Sequence, residues 1–157
     1  LSIVAVVVGR QLLRVRRDEA RLIELEQAGA AGSRQASDLY ELGSVQLRKR
    51  LYPQAAASLK QALKRANGEP DEARALIENA LGFSLAAQKD YEGAVRHYKL
   101  ALKAKPDYPV AINNLAFAQD KLPKSEEAAD LYRQTLVLDP GNTTARKRLK
   151  QLERRLG

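Results

Sequence analysis

Apolar and polar positions recur along this chain with a fixed long period. Between Ala75 and Pro140 one pattern occurs twice. It reads Leu81-Gly82, Leu85, Ala94, Tyr98, Ala101 and Pro106, then Leu115-Ala116, Gln119, Ala128, Tyr132, Thr135 and Pro140, each pair 34 residues apart. Two helices of about a dozen residues, with two turns, fill such a period. A fixed period of this size marks a helical solenoid. Gly82 and Ala94 are small where paired helices approach closest, and Tyr98 fills the space beside them. Ala101, or Thr135 in the next copy, lets the following repeat pack closely. Pro106 and Pro140 stop the second helix, because proline lacks an N–H and its ring clashes one turn back.

A further copy lies upstream, with Leu39, Leu42-Gly43, Ala55, Leu59 and Ala62. It starts 39 residues ahead of the next, and the extra five fall in the turn-rich stretch Ala66 to Pro70. Pro53 and Pro70 suit first turns of helices. Asp90 and Ser125 are candidate N-caps, with Glu126 and Glu127 favourable behind Ser125. The expected organisation is three helix-turn-helix repeats over 36–142, divided 36–74, 75–108 and 109–142. A helix over 143–157 caps them: Ala145, Leu149, Leu152 and Leu156 share one face and the other face is mostly basic. The expected class is all-α.

Leu1 to Gly9 is apolar except for Ser2, and Arg10, Arg14, Arg16 and Arg17 follow. Nine residues cannot span a bilayer, which takes about 20. The run reads as the exit end of a transmembrane helix with a positive flank, so that residues 1–27 form a membrane-anchor exit and a basic juxtamembrane helix. The positive-inside tendency then puts the repeats on the cytoplasmic or stromal side. Two other readings stay open: a soluble helix packed on the repeats, and the remnant of a targeting segment. The chain contains no Met, position 1 included, which fits a start after processing. Residues 28–35, with Gly29 and Gly32 among small residues, are expected to be a flexible linker.

Charge sharpens this picture. The net charge is +8, of which four arginines before the first acid supply +4 and the tail from Arg146 to Arg155 supplies +5, leaving −1 for the body. Both ends are basic and the middle is nearly neutral. That fits juxtamembrane or acidic-partner contacts and gives no continuous track for nucleic acid. With no Cys and one His, thiolate sites and most histidine-based metal or acid–base sites are excluded. No glycine-rich phosphate loop or Ser/His/Asp arrangement is present. The sequence therefore points to no catalytic residue, metal or cofactor, and to a binding protein.

In an array of such hairpins the first helix of each lines a concave groove. Tyr40, Ser44 and Arg48 fall on that face in the first copy, Asn79 and Phe83 in the second, and Asn113, Phe117 and Lys121 in the third. Asn79 and Asn113 share a repeat position, as do Phe83 and Phe117. Two amides in register are able to hold an extended peptide backbone, and aromatics at equivalent exposed positions mark a binding groove. The other reading is that the aromatics pack between repeats. The basic residues of the last helix, Arg146, Lys147, Arg148, Lys150, Arg154 and Arg155, form a second candidate contact surface for an acidic partner or anionic lipid.

Over residues 36–156 the chain resembles the tetratricopeptide repeat (TPR) superfamily. More narrowly, it is similar to the cyanobacterial and chloroplast thylakoid TPR proteins of photosystem I assembly, the Pale Yellow Green type in plants. The resemblance is carried by Val8-Gly9-Arg10-Gln11 with its arginine flank, Tyr40-Glu41-Leu42-Gly43-Ser44 and Asn79-Ala80-Leu81-Gly82-Phe83. It continues in Lys105-Pro106-Asp107-Tyr108, Asn113-Asn114-Leu115-Ala116 and Leu138-Asp139-Pro140 with the basic tail. Gln46, Gln119 and Thr135 depart from the usual apolar or small residues. The resemblance implies a right-handed solenoid and a non-enzymatic assembly factor in the thylakoid membrane, with repeats facing the stroma, or the cytoplasm in a cyanobacterium. Its partners would be photosystem I subunits, especially on the stromal side, and other assembly factors. The alternative is a generic peptide-binding adaptor or co-chaperone in another membrane complex. Chaperone-binding TPR domains use a Lys/Asn/Asn/Lys/Arg clamp; the matching positions here are Tyr40, Ser44, Ala80, Val110 and Asn114, which include no cation.

Overall fold

The computed structural model describes residues 3–30 and 35–157. Among these residues there are eight α-helices and no strand. The chain divides into two compact units, residues 1–65 and 66–157.

The first unit holds α1 (Ile3–Ala30), α2 (Ala36–Arg48) and α3 (Tyr52–Arg65). Helices α2 and α3 form a hairpin around the residues that the spacing predicts, with Leu39, Leu42, Ala55, Leu59 and Ala62 each at most 2% exposed. Gly43 lets the helices meet: a Cβ there would stand 2.7 Å from Leu59 Cγ. Gln46 is buried where the repeat usually has an apolar side chain, and Ser58 Oγ donates to its Oε1 at 2.8 Å. The hairpin thus absorbs the polar departure with a bond between its own two helices.

The second half of α1 packs on α2. Leu25, 6% exposed, and Leu22 meet Leu42 and Val45. Arg21 donates through Nε and Nη2 to Glu41 at 2.6 and 2.7 Å, and Arg48 donates to both carboxylate oxygens of Asp18 at 3.1 and 3.0 Å. The first half of α1 has no such cover: Val6, Val7, Val8, Leu12, Leu13 and Val15 are about half exposed. Among the described residues no helix is long and apolar enough to cross a membrane. Of the run expected to be the exit end of a transmembrane helix, α1 holds residues 3–9, and arginines enter from Arg10 onward. The predicted linker also begins later than expected. Helix α1 continues through Gly29 to Ala30, a single glycine costing a helix only about 1 kcal/mol. Residues 1–2 of the apolar run and 31–34 of the linker lie outside the described residues.

The second unit holds two hairpins, α4 (Asp71–Ala87) with α5 (Tyr91–Ala104) and α6 (Pro109–Lys121) with α7 (Ser125–Leu138), followed by α8 (Thr143–Leu156). Helix α4 starts at Asp71, four residues before the repeat start expected at Ala75. Pro70 sits at its N-cap, and Asp71 and Glu72 face the positive helix end. Asp90 caps α5 as predicted, accepting from Gly93 N at 2.8 Å. Ser125 does not cap α7; it is the first helical residue, and Lys124 stands at the cap without a side-chain bond. Asn142, not anticipated, caps α8 by accepting from Ala145 N at 2.9 Å.

Gly82 permits a close approach of α4 and α5, since a Cβ there would lie 2.7 Å from the Tyr98 ring. Tyr98 and Tyr132 are each 1% exposed and fill equivalent gaps in the two hairpins. Thr135 is fully buried and satisfies its hydroxyl by donating to Leu131 O at 3.0 Å. Helix α8 covers the last hairpin with Ala145 and Leu152 against Ala128, Ala129 and Tyr132. Leu156, expected on the same buried face, is 48% exposed at the end of the helix.

Candidate partner-binding groove

In the second unit, the first helices of the hairpins and the capping helix enclose a cavity of about 360 Å³. Its walls are Phe83, Ala86 and Ala87 from α4, Asn113 and Phe117 from α6, and Thr144 and Arg148 from α8. Tyr91, Tyr98 and Tyr132 also line it. The 34-residue repeat brings the two phenylalanines to one surface, as the sequence predicts. They differ in setting. Phe83 is 46% exposed. Phe117 is half-buried, with Tyr91 edge-on at 6.3 Å between ring centroids.

Two cations lie over the same Phe117 ring. Lys121, one turn further along α6, places Nζ 5.4 Å from its centroid, and Arg148 places its guanidinium carbon 5.6 Å away. Such contacts are favourable with the electron-rich face of the ring. Neither cation makes an ion pair among the described residues. Burial pushes the Tyr132 hydroxyl up to about 12, with Arg148 pulling it the other way. Burial alone holds the Tyr98 hydroxyl well above the usual tyrosine range. Both phenols are neutral at physiological pH and act as packing surface.

The two asparagines do not form the matched pair that their register predicts. Asn79 Oδ1 accepts from Asn114 Nδ2 at 3.1 Å, and Asn79 Nδ2 lies 3.4 Å from Tyr108 Oη. Its amide is spent joining α4 to α6. Asn113 Oδ1 is buried with no hydrogen-bond partner. In the first unit, Ser44 Oγ donates to Tyr40 O of its own helix at 2.8 Å, and Arg48 is held by Asp18. Tyr40 is half-buried. The first-copy residues are thus largely committed inside their own unit.

The six basic residues of α8 do not make one surface. Arg148 turns toward Phe117. Arg155 donates to Asp120 Oδ1 on α6, and Arg146 to the Pro140 carbonyl. Lys147, Lys150 and Arg154, at spacings of three and four, share the outer face and make no ion pair among the described residues. The N-terminal arginines Arg10, Arg14, Arg16 and Arg17 are all exposed.

The repeat architecture has a direct counterpart among known families. A tetratricopeptide repeat family model matches residues 40–109 and 80–143. The chain belongs to the tetratricopeptide repeat family. It is 33% identical over 147 residues to the chloroplastic tetratricopeptide repeat domain-containing protein PYG7 of Arabidopsis thaliana, across 94% of this chain and 48% of that protein. It therefore spans about half the length of that relative. It is 30% identical over 156 residues to the uncharacterized protein ycf37 of Guillardia theta, across 99% of this chain and 88% of that one. Among solved structures, the first TPR domain of Spaghetti (RPAP3), bound to the HSP90 peptide SRMEEVD, superposes with a TM-score of 0.72. It is 22% identical and covers 80% of this chain and 95% of its own.

Members of the TPR family are protein-interaction scaffolds, and this TPR chain presents a cavity suited to that use. Two of its lining residues escaped the sequence reading. Arg148 was expected on an outer surface, and Tyr91 carried no motif. Only the packing of α8 and α5 against α6 places them at Phe117. The amide of Asn114, which the sequence reading matched to a chaperone-clamp position, is bonded to Asn79.

Proposed function

We propose that this chain is a non-catalytic TPR scaffold that holds photosystem I subunits or assembly intermediates while the complex is built. The observation that carries the binding reading is the Phe83–Phe117 cavity, with Arg148 in its lining and Lys121 over the Phe117 ring, neither in an ion pair among the described residues. The identity to the chloroplastic PYG7 supports a plastid or cyanobacterial setting. In this reading the protein sits at the thylakoid membrane, with the repeats on the stromal side, or the cytoplasmic side in a cyanobacterium.

Membrane attachment is assigned to the N-terminal segment. The half-exposed apolar residues from Val6 to Val15 support it, interleaved with Arg10 and Arg14 and followed by Arg16 and Arg17. Apolar side chains with adjacent arginines suit an acyl–headgroup boundary bearing anionic lipid. The repeats 36–74, 75–108 and 109–142 serve as the interaction body, and the outer face of the capping helix as an auxiliary basic contact.

The test is a tagged pull-down from gently solubilised membranes, with cross-linking and mass spectrometry. Cross-links from α4, α6 or α8 to photosystem I subunits are the expected outcome. Recovery of chaperones or another membrane complex without photosystem I removes this function.

A further inference from the structure

We propose that the cavity between Phe83 and Phe117 takes a peptide segment in which an acidic side chain lies beside a large apolar one, the carboxylate resting on Lys121 and Arg148. This rests on the groove reading above and goes further by stating the chemistry of what enters. The cavity, about 360 Å³, is at the small end of ligand-sized sites. It has room for one or two side chains of a strand and none for a folded surface. Its aromatic and methyl walls select an apolar group.

Charge selects the neighbour of that group. Lys121 Nζ and the Arg148 guanidinium each lie over the Phe117 ring, at 5.4 and 5.6 Å from its centroid, with no carboxylate paired to either among the described residues. The carboxylate on the same helix, Asp120, is taken by Arg155. An incoming carboxylate would make charge-assisted hydrogen bonds with these cations. A cationic segment would meet like charge beside Phe117.

The protein contains a built example of this recognition. Lys121 occupies in its repeat the position that Arg48 occupies in the first, 73 residues earlier. Arg48 binds both oxygens of Asp18, and Leu22, one turn beyond Asp18, packs on Leu42 and Val45. There the cation of the repeat already holds an acidic residue of a segment that also buries a leucine. The middle repeat has Ala87 at this position and lacks the cation. Of the three equivalent positions, one has a cation with its acid, one has no cation, and one has a cation still without an acid.

The probe is a fluorescein-labelled, C-amidated heptapeptide, Ser-Gly-Phe-Glu-Glu-Gly-Ser, titrated with the full chain at low salt and read by fluorescence anisotropy. The glutamate peptide is expected to bind about tenfold or more tightly than its Gln-Gln counterpart. Arg148→Gln and Lys121→Gln are each expected to weaken it about fivefold, Arg148→Lys much less, and Arg154→Gln on the outer face of α8 less than twofold. Thermal melts of each variant separate lost binding from lost fold. Equal binding of the Gln-Gln peptide, or an equal effect of Arg154→Gln, overturns the proposal. So does no binding of the glutamate peptide, or preferential displacement of it by an oligothymidylate. If the Gln-Gln peptide binds equally and Phe83→Ser abolishes it, the groove reading stands and the acidic chemistry falls. If the glutamate peptide binds as described but partner cross-links avoid α4, α6 and α8, the photosystem reading of the groove falls instead.

Discussion

Glu78 Oε2 lies 2.7 Å from His97 Nδ1, joining α4 to α5 through a carboxylate whose side chain is 4% exposed. The only histidine of the chain is therefore structural. Removing it leaves a buried side chain without its hydrogen-bond partner, which costs more than the bond itself contributes. His97→Ala is expected to destabilise the second unit by about 2 kcal/mol, measured by urea unfolding. Glu78→Gln, which keeps a hydrogen-bonding side chain, is expected to cost less than half of that. A His97→Ala midpoint equal to that of the unmutated protein contradicts this role.

Gly82 permits close contact between α4 and α5, and the Tyr98 ring leaves no room for a branched side chain there. Gly82→Val is expected to destabilise by about 2 kcal/mol through overpacking. Gly9→Val, with nothing within 4 Å of its Cβ position, is the control and is expected to leave the melting temperature within a degree or two.

Asn113 Oδ1 has no hydrogen-bond partner, whereas the Asn79 amide bonds across to Asn114. Asn113→Leu replaces an unsatisfied buried acceptor with an apolar group, a change that is neutral or stabilising in general. Its melting temperature is expected to stay level or rise while partner capture falls. Asn79→Ala is expected to lower both. Equal effects of the two variants on stability would show that the amides are equivalent after all.

Acid should release α1 from α2. The Arg21 guanidinium beside Glu41 and the Arg48 guanidinium beside Asp18 hold both carboxyls below their ordinary values. A depressed carboxyl contributes stability above its free value and loses it as pH falls through its folded value. Docking of α1 is therefore expected to be constant from about pH 7 to 5 and to weaken below about pH 4. Hydrogen exchange across residues 15–28 reads this directly. Both pairs are partly exposed, so the effect is modest and reduced by salt.

For the membrane, a high-salt wash is expected to leave the protein in the pellet. If the exposed apolar residues of α1 provide the proposed attachment, it holds independently of ionic strength, whereas arginine–headgroup attraction is screened. Release into the wash would assign attachment to Arg10, Arg14, Arg16 and Arg17 alone.

Periodicity made the hairpins legible. Leu42-Gly43, Leu81-Gly82 and Leu115-Ala116, with their partner positions on the second helices, mark core and close approach before any coordinates are known. The N-cap at Asp90 was legible for the same reason, because its bond is made within three residues of sequence. The caps at Ser125 and Asn142 were misread or missed, since several polar residues compete at those turns and backbone geometry selects among them.

The groove divides along the same line. The sequence by itself determined that Phe83 and Phe117 share a face, because a 34-residue repeat returns equivalent positions to equivalent places. Only the tertiary structure decided that Arg148 joins Lys121 over Phe117, that Asn114 occupies the Asn79 amide, and that Asp18 satisfies Arg48. Helical spacing orders residues around one helix axis. Which polar atoms meet across two helices depends on interaxial distance and rotation, and these follow from how buried side chains such as Tyr132, Leu152 and Leu25 fill the space between them.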